Sequence, residues 1–125
     1  MKKIISTPNA PKAIGPYSQA VLAGNTLYCS GQIAINPENG ELETGNIKSE
    51  TERVMQNLQA ILETAEMNFD NVVKCSVFLK AMSQYAEVNE VYAAYFGNNP
   101  PAREAVEVSA LPKNVNVEIS LIAIK

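Results

Sequence analysis

Val73-Lys74-Cys75-Ser76-Val77-Phe78-Leu79-Lys80 decides the fold. Val73, Cys75, Val77 and Leu79 alternate with Lys74, Ser76 and Lys80. A period of two marks a strand with one face on a core and the other wet. Helical patterns stand on both sides of it. Upstream, Val54, Leu58, Ile61 and Ala65 recur at helical spacing, with Leu62 alongside. Ser49 and Glu52 are spaced as a capping box and predict the start of this helix, and Asn68 to Asn71 ends it. Downstream, Val88, Val91, Tyr92, Tyr95 and Phe96 form a second apolar stripe. Ser83 is its expected cap and Gly97 its stop.

Short strands lie outside this helix–strand–helix centre. Ile4-Ile5 reads as a first strand, and Asn9 to Tyr17 as a loop punctuated by Pro11, Gly15 and Pro16. Ser18 to Ala23 turns at Gly24-Asn25 into Thr26 to Ser30, a hairpin. Gly31-Gln32 interrupts the second arm, as a bulge or a close backbone approach does, before Ile33 and Ile35 resume the alternation. Asn39-Gly40 is a tight-turn signal. Two more strands are expected over 103–108 and 115–124. The order predicts a single α+β domain over 1–125, with two helices on one face of a mainly antiparallel sheet.

Composition narrows the function. The chain has 125 residues, 46% of them apolar and 18% charged, with a net charge of −3. That length buries roughly two-thirds of the unfolded surface in one domain. No basic block interleaves with aromatics, so nucleic acid is not a favoured partner. The apolar runs are too short to span a bilayer. Met1-Lys2-Lys3-Ile4-Ile5 turns polar at Ser6, so no signal-peptide core and a cytoplasmic location are expected. Histidine is absent, which excludes Ser-His and Cys-His catalysis and leaves too few soft ligands for an ordinary zinc site. Cys29 and Cys75 both fall in strands and read as small buried hydrophobes.

One cation stands out. In Asn99-Pro100-Pro101-Ala102-Arg103-Glu104-Ala105-Val106, a proline pair stiffens the approach to a strand that begins near Arg103. The arginine fork matches a carboxylate bidentately. Fifteen positions on, Glu118 interrupts the apolar pattern of the last strand. Parity predicts Val106 and Val108 toward the helices, with Arg103, Ala105 and Glu107 opposite. Val115, Val117, Ile119 and Leu121 are likewise expected inward, with Glu118, Ser120, Ile122 and Ile124 outward. A hairpin through Leu111-Pro112-Lys113-Asn114 would then set Arg103 across from Glu118. Residue by residue, this pair reads as a cross-strand ion pair or as a site for a small acid with a base beside it. Tyr17 reads as a packed loop tyrosine, and Ser30-Gly31 as a bulge or a binding loop. The apolar side chains on the helix-free face predict a homo-oligomer joined through it.

Taken together, these segments resemble the Rid family, the reactive intermediate deaminases also called YjgF. The likeness covers nearly the whole chain. It runs through Ala13-Ile14-Gly15-Pro16-Tyr17-Ser18-Gln19-Ala20, Ser30-Gly31-Gln32-Ile33, Asn36-Pro37 with Gly40, and Asn57-Leu58. It continues through Val73-Lys74, Val77-Phe78, Val88-Asn89 with Tyr92 and Phe96, Pro101-Ala102-Arg103 and Val106-Glu107-Val108. Leu111-Pro112-Lys113 and Val117-Glu118-Ile119 complete it.

The resemblance implies a chorismate-mutase-like fold, a homotrimer with a central β-barrel and helices outside, and ligand clefts between subunits. It implies hydrolysis of 2-imino acids, such as 2-iminopropanoate and 2-iminobutanoate, to 2-keto acids and ammonia. This removes reactive enamines and imines that damage enzymes, and it needs no cofactor or metal. By the same resemblance Arg103 holds the substrate carboxylate and Glu118 activates water. Ser30 and the Gly31 backbone hydrogen-bond near the substrate, Tyr17 closes the cleft, and Asn89 lies near the site. Deaminase members commonly carry a cysteine where this chain has Ala105, which leaves only a backbone N–H there. The alternatives are a non-catalytic carboxylate-binding or regulatory trimer, and RNA cleavage or translation inhibition, which the acidic balance and missing histidine oppose.

Overall fold

The computed structural model describes residues 1–125. Its strands are β1 (Lys2–Ile5), β2 (Ala20–Ala23), β3 (Thr26–Gln32), β4 (Val72–Leu79), β5 (Ala102–Glu107) and β6 (Val117–Ile124). Its helices are α1 (Ile47–Thr64) and α2 (Tyr85–Ala93). The six strands make one sheet in the order β1-β2-β3-β6-β4-β5. Every neighbouring pair is antiparallel except β4–β5. The alternating stretch β4 is a strand, as its pattern predicts, and it lies inside the sheet between β6 and β5.

Both helices pack against one face of the sheet. Val54, Met55, Leu58, Ile61 and Leu62 of α1 are fully buried with Cys75 and Leu79 of β4 and Ile119 and Ala123 of β6. Each such aliphatic side chain contributes about 1.5–3 kcal/mol on burial. Tyr92, Phe96 and Phe69 close the end of this core as tilted and edge-to-face rings. The cysteines are free and buried, as expected. Burial pushes the Cys29 thiol up to about 12 and raises Cys75 as well, so both are unreactive packing residues. No helix is long and apolar enough to cross a membrane.

Local signals misplaced both helix starts. Asn46, not Ser49, caps α1: its extended backbone lets its side chain accept from the N–H groups of Lys48 and Ser49. Glu52 does not reach back to form a capping box; it accepts a hydrogen bond from the Tyr95 hydroxyl. The helix ends at Thr64, earlier than Asn68. Ser83 caps nothing. It sits inside a 3-10 turn, Met82–Gln84, whose first N–H is anchored on Glu107 of β5 at 2.8 Å. A stronger local cap displaces Ser49 at α1, and a tertiary contact replaces Ser83 before α2. In β4, a register shift between Val72 and Lys74 turns Val73 outward and buries Val72 instead. Ile33 and Ile35 do not extend β3. They are buried beyond its end, with Ile35 bridging only Leu42.

The largest correction concerns β5. It does not form a hairpin with β6. It runs parallel to β4 as an edge strand, and β4 separates it from β6. Arg103 therefore stands beside Cys75, and Glu118 beside Phe78. The inside-outside assignment of β5 is also reversed. Ala105 pairs with buried Val77 and packs on the core, whereas Val106 is exposed. Ladder pairing with β4 sets this phase, because an edge strand is too thinly covered for its own apolar pattern to decide. The parity of β6 is as expected: Val117, Ile119 and Leu121 are buried, and Ile122 and Ile124 lie opposite. The helix-free face thus carries Ile4, Tyr28, Val106 and Ile124 exposed.

Candidate functional site

The site residues fall into two groups. Tyr17, Ser30, Gly31 and Glu118 line one cavity of about 330 Å³, together with Lys12, Ile33 and Pro112. Asn89 and Arg103 line another, of about 340 Å³, with Tyr92, Phe96 and the proline pair Pro100-Pro101. Within one chain the two are apart, on opposite faces of the sheet. Ala105 lies on the Arg103 face of β5 and packs on the core.

Backbone geometry builds the first cavity. Register slips between Cys29 and Gln32, which takes Ser30 and Gly31 out of the β3–β6 ladder. At the bulge the Glu118 side chain lies directly on Gly31. A Cβ added there would stand 2.0 Å from Glu118 Oε2 and 2.8 Å from its Cδ. Any other residue there would force the carboxylate to move. Glu118 has no basic side chain within ion-pair distance. Burial alone therefore acts on it and raises its pKa above the usual carboxylate value. A half-buried carboxylate with a raised pKa can take a proton and return it.

The loops around Glu118 are pinned by buried amides. The Gln19 carboxamide accepts from Thr7 N at 2.7 Å and donates to the carbonyls of Thr7, Ala10 and Pro11. This ties the proline-rich loop to β2. Tyr17 caps the loop, with its N–H on Gly15 O at 2.8 Å and its ring exposed at the cavity rim. The Ser30 hydroxyl donates to Ser18 O at 2.6 Å, so its lone pairs, not its proton, are free for a ligand. Asn57 of α1 is fully buried and donates to the carbonyls of Ile33 and Ile35. Glu50, also fully buried, accepts from the backbone and side-chain N–H groups of Asn116, two residues before Glu118.

Side chains build the second cavity. Arg103 Nη1 donates to Asn89 Oδ1 at 2.7 Å, and Nη2 donates to the Tyr85 hydroxyl at 2.8 Å. The guanidinium carbon lies 4.8 Å from the centre of the Tyr92 ring, within cation–π range. Every one of these partners is neutral, and Arg103 makes no salt bridge. Its charge is held in place but not compensated, which is the condition for binding an anion. Asn89 and then Arg103 draw the pKa of the Tyr85 hydroxyl below that of an ordinary phenol.

Sequence reasoning missed Tyr85, Glu50 and the pinning role of Asn57. Tyr85, Asn89 and Tyr92 have helical same-face spacing, which is a readable signal. Nothing local, however, says that Arg103 reaches that face. Glu50 and Asn57 sit among apolar helix positions and look like surface residues until the loops they hold are known.

Comparison with known proteins agrees on one family. A family model described as Endoribonuclease L-PSP matches residues 7–125. A RutC family protein from Pyrococcus horikoshii is 55% identical over 125 residues, covering 100% of this chain and 99% of that protein. The human protein named 2-iminobutanoate/2-iminopropanoate deaminase is 46% identical over 125 residues, covering 100% of this chain and 91% of its own. The structure of a Rid family protein of unknown function from Yersinia pestis superposes with a TM-score of 0.97 at 47% identity, covering 100% of both chains. The bulge at Gly31, the Glu118 cavity and the Arg103 rail are thus features of a chain that belongs to the Rid (YjgF) family, whose domain is also described as Endoribonuclease L-PSP.

Proposed function

We propose that this protein hydrolyses 2-imino acids such as 2-iminopropanoate and 2-iminobutanoate to 2-keto acids and ammonia. The observation that carries this reading is a pair of uncompensated charges. Arg103 is a partly buried cation with only neutral partners, and Glu118 is a partly buried carboxylate with no cation within ion-pair distance. The reaction needs one of each.

Arg103 holds the substrate carboxylate and so fixes C2. Glu118 takes a proton from a water as its oxygen bonds to C2 of the protonated imine. The carboxylic acid so formed gives the proton to nitrogen, which leaves as ammonia while C2–O becomes a carbonyl. The hydroxyl proton is released in the same collapse. A protonated imine is already electrophilic, so the residues need only position water and move protons. Ser30 and Gly31 border the water, Tyr17 closes the rim, and Asn89 orients Arg103. Ala105 offers its backbone N–H.

The two cavities serve one reaction when a second copy brings its Arg103 group to the Glu118 cavity of the first. The exposed apolar side chains Ile4, Tyr28, Val106 and Ile124 support the helix-free face as the surface for that contact, in a homotrimer. A cytoplasmic protein that disposes of reactive imines and enamines fits this chemistry.

The test couples the protein to a threonine dehydratase acting on threonine and follows imine decay. Faster decay than in buffer is expected, and its loss in Arg103→Ala. Decay at the uncatalysed rate would remove the proposal. Thermal stabilisation by 2-oxobutanoate without faster decay would assign the cleft to binding instead.

A further inference from the structure

We propose that Tyr85 is a positioning residue for Arg103, setting the direction of its fork for a carboxylate without neutralising its charge. The inference rests on the deaminase reading for its substrate and on the geometry of α2 for its substance. Tyr85, Asn89 and Tyr92 occupy one face of α2, one turn after another. Parallel pairing of β5 with β4 lays Arg103 along that face. The Tyr92 ring lies against the guanidinium, with its centre 4.8 Å from Cζ. Asn89 and Tyr85 each take one N–H, from Nη1 and Nη2 respectively, at 2.7 and 2.8 Å.

That arrangement constrains the guanidinium in three ways. The Tyr92 ring backs the guanidinium, and the two hydrogen bonds restrain its rotation. Of five guanidinium N–H groups, two are thereby occupied and three remain, enough for a two-pronged contact with a carboxylate. The choice of acceptor matters. A carboxylate at position 85 or 89 would orient the fork equally well, but it would compete with the substrate for the charge. A phenol oxygen and an amide oxygen accept without that competition. The substitution Tyr85→Phe would keep the ring and lose the acceptor, leaving Nη2 to turn.

The experiment measures 2-oxobutanoate binding by calorimetry and imine-decay kinetics for the wild type, Tyr85→Phe and Arg103→Met. The neutral analogue 2-oxobutanamide serves as a control ligand. Tyr85→Phe should weaken 2-oxobutanoate binding about tenfold, the scale of a hydrogen bond to a charged group. KM should rise in parallel, with kcat within about twofold and amide binding and Tm unchanged. Nitrogen NMR of Arg103 should show faster rotation about the Cζ–Nη2 bond, a readout independent of any ligand. Equal 2-oxobutanoate affinity in Tyr85→Phe and wild type overturns the inference. So does an equal loss for acid and amide, which would make Tyr85 a packing residue. A wild type that binds 2-oxobutanoate through Arg103 but hydrolyses no imine overturns the deaminase reading and leaves the positioning role standing. No binding in the wild type removes both.

Discussion

Glu118 and Arg103 carry opposite charges and are held by opposite means. Glu118 is on an inner strand, pressed on a bulged backbone where a Cβ at Gly31 would displace its carboxylate. No cation lies within ion-pair distance of it, and burial tunes its proton affinity. Arg103 is on the edge strand and is held by side chains of α2. Its charge needs no tuning, only aim. An acid-base group is set by desolvation, and a binding group by hydrogen-bonded orientation. Mutations should therefore break the two cavities differently.

The largest effect tests whether two copies join them. Arg103→Ala should lower kcat/KM by about 10²–10⁴-fold, as two hydrogen bonds to a charge are lost. Glu118→Gln should lower kcat by about 10²–10⁴-fold, the range for a general base. Co-expressed in equal amounts, the two inactive variants should assemble hybrids with about a quarter of wild-type activity, because one site in four then combines an intact Arg103 with an intact Glu118. If both residues served one copy, every hybrid would be dead.

Gly31→Ala comes next. The added methyl meets the Glu118 carboxylate, so activity should fall at least about tenfold while the Arg103 cavity still binds 2-oxobutanoate. Equal loss of binding would show that the cavities are not separable. Asn57→Ala should cost about 1–3 kcal/mol in chemical denaturation by leaving the Ile33 and Ile35 carbonyls without their donor. It should also disturb the Glu118 cavity more than the Arg103 rail.

The smallest expected effect has the sharpest sign. The folded-state pKa of Glu118 is raised, so its protonated form is the one folding favours. That contribution is present below the unfolded pKa and is lost as pH rises through the folded one. At neutral pH the ionised carboxylate therefore weighs against the fold, and Glu118→Gln should raise Tm slightly there. The gain should vanish in acid. In the wild type, activity should fall on the acid side at a pH above the ordinary glutamate pKa, because the base must be ionised to act. A lower Tm for Glu118→Gln at neutral pH would contradict this account.

Much of the fold was legible because it repeats a local rule. Alternation in β4 and β6 and the stripe of α1 each carry enough buried apolar positions to report their own phase. Caps were less legible: Ser49 and Glu52 have the right spacing, but Asn46 has the right backbone. The edge strand was illegible. Val106 and Val108 follow the same rule as a core strand, yet β5 takes its phase from β4 across the ladder. The site shared that fate. Arg103 and Glu118 were recognisable by type, but not as residues of opposite faces.

The sequence by itself determined the element types, the α+β class, the core positions of α1 and β6, and the chemistry available without histidine. Those are properties of spacing and side-chain identity, and they do not depend on which strands meet. Only the tertiary structure decided that β5 lies parallel beside β4, that Tyr85 and Asn89 hold Arg103, and that Gly31 makes way for Glu118. Strand pairing is a choice among distant partners of similar local preference, and it is settled by packing of the whole sheet against the helices.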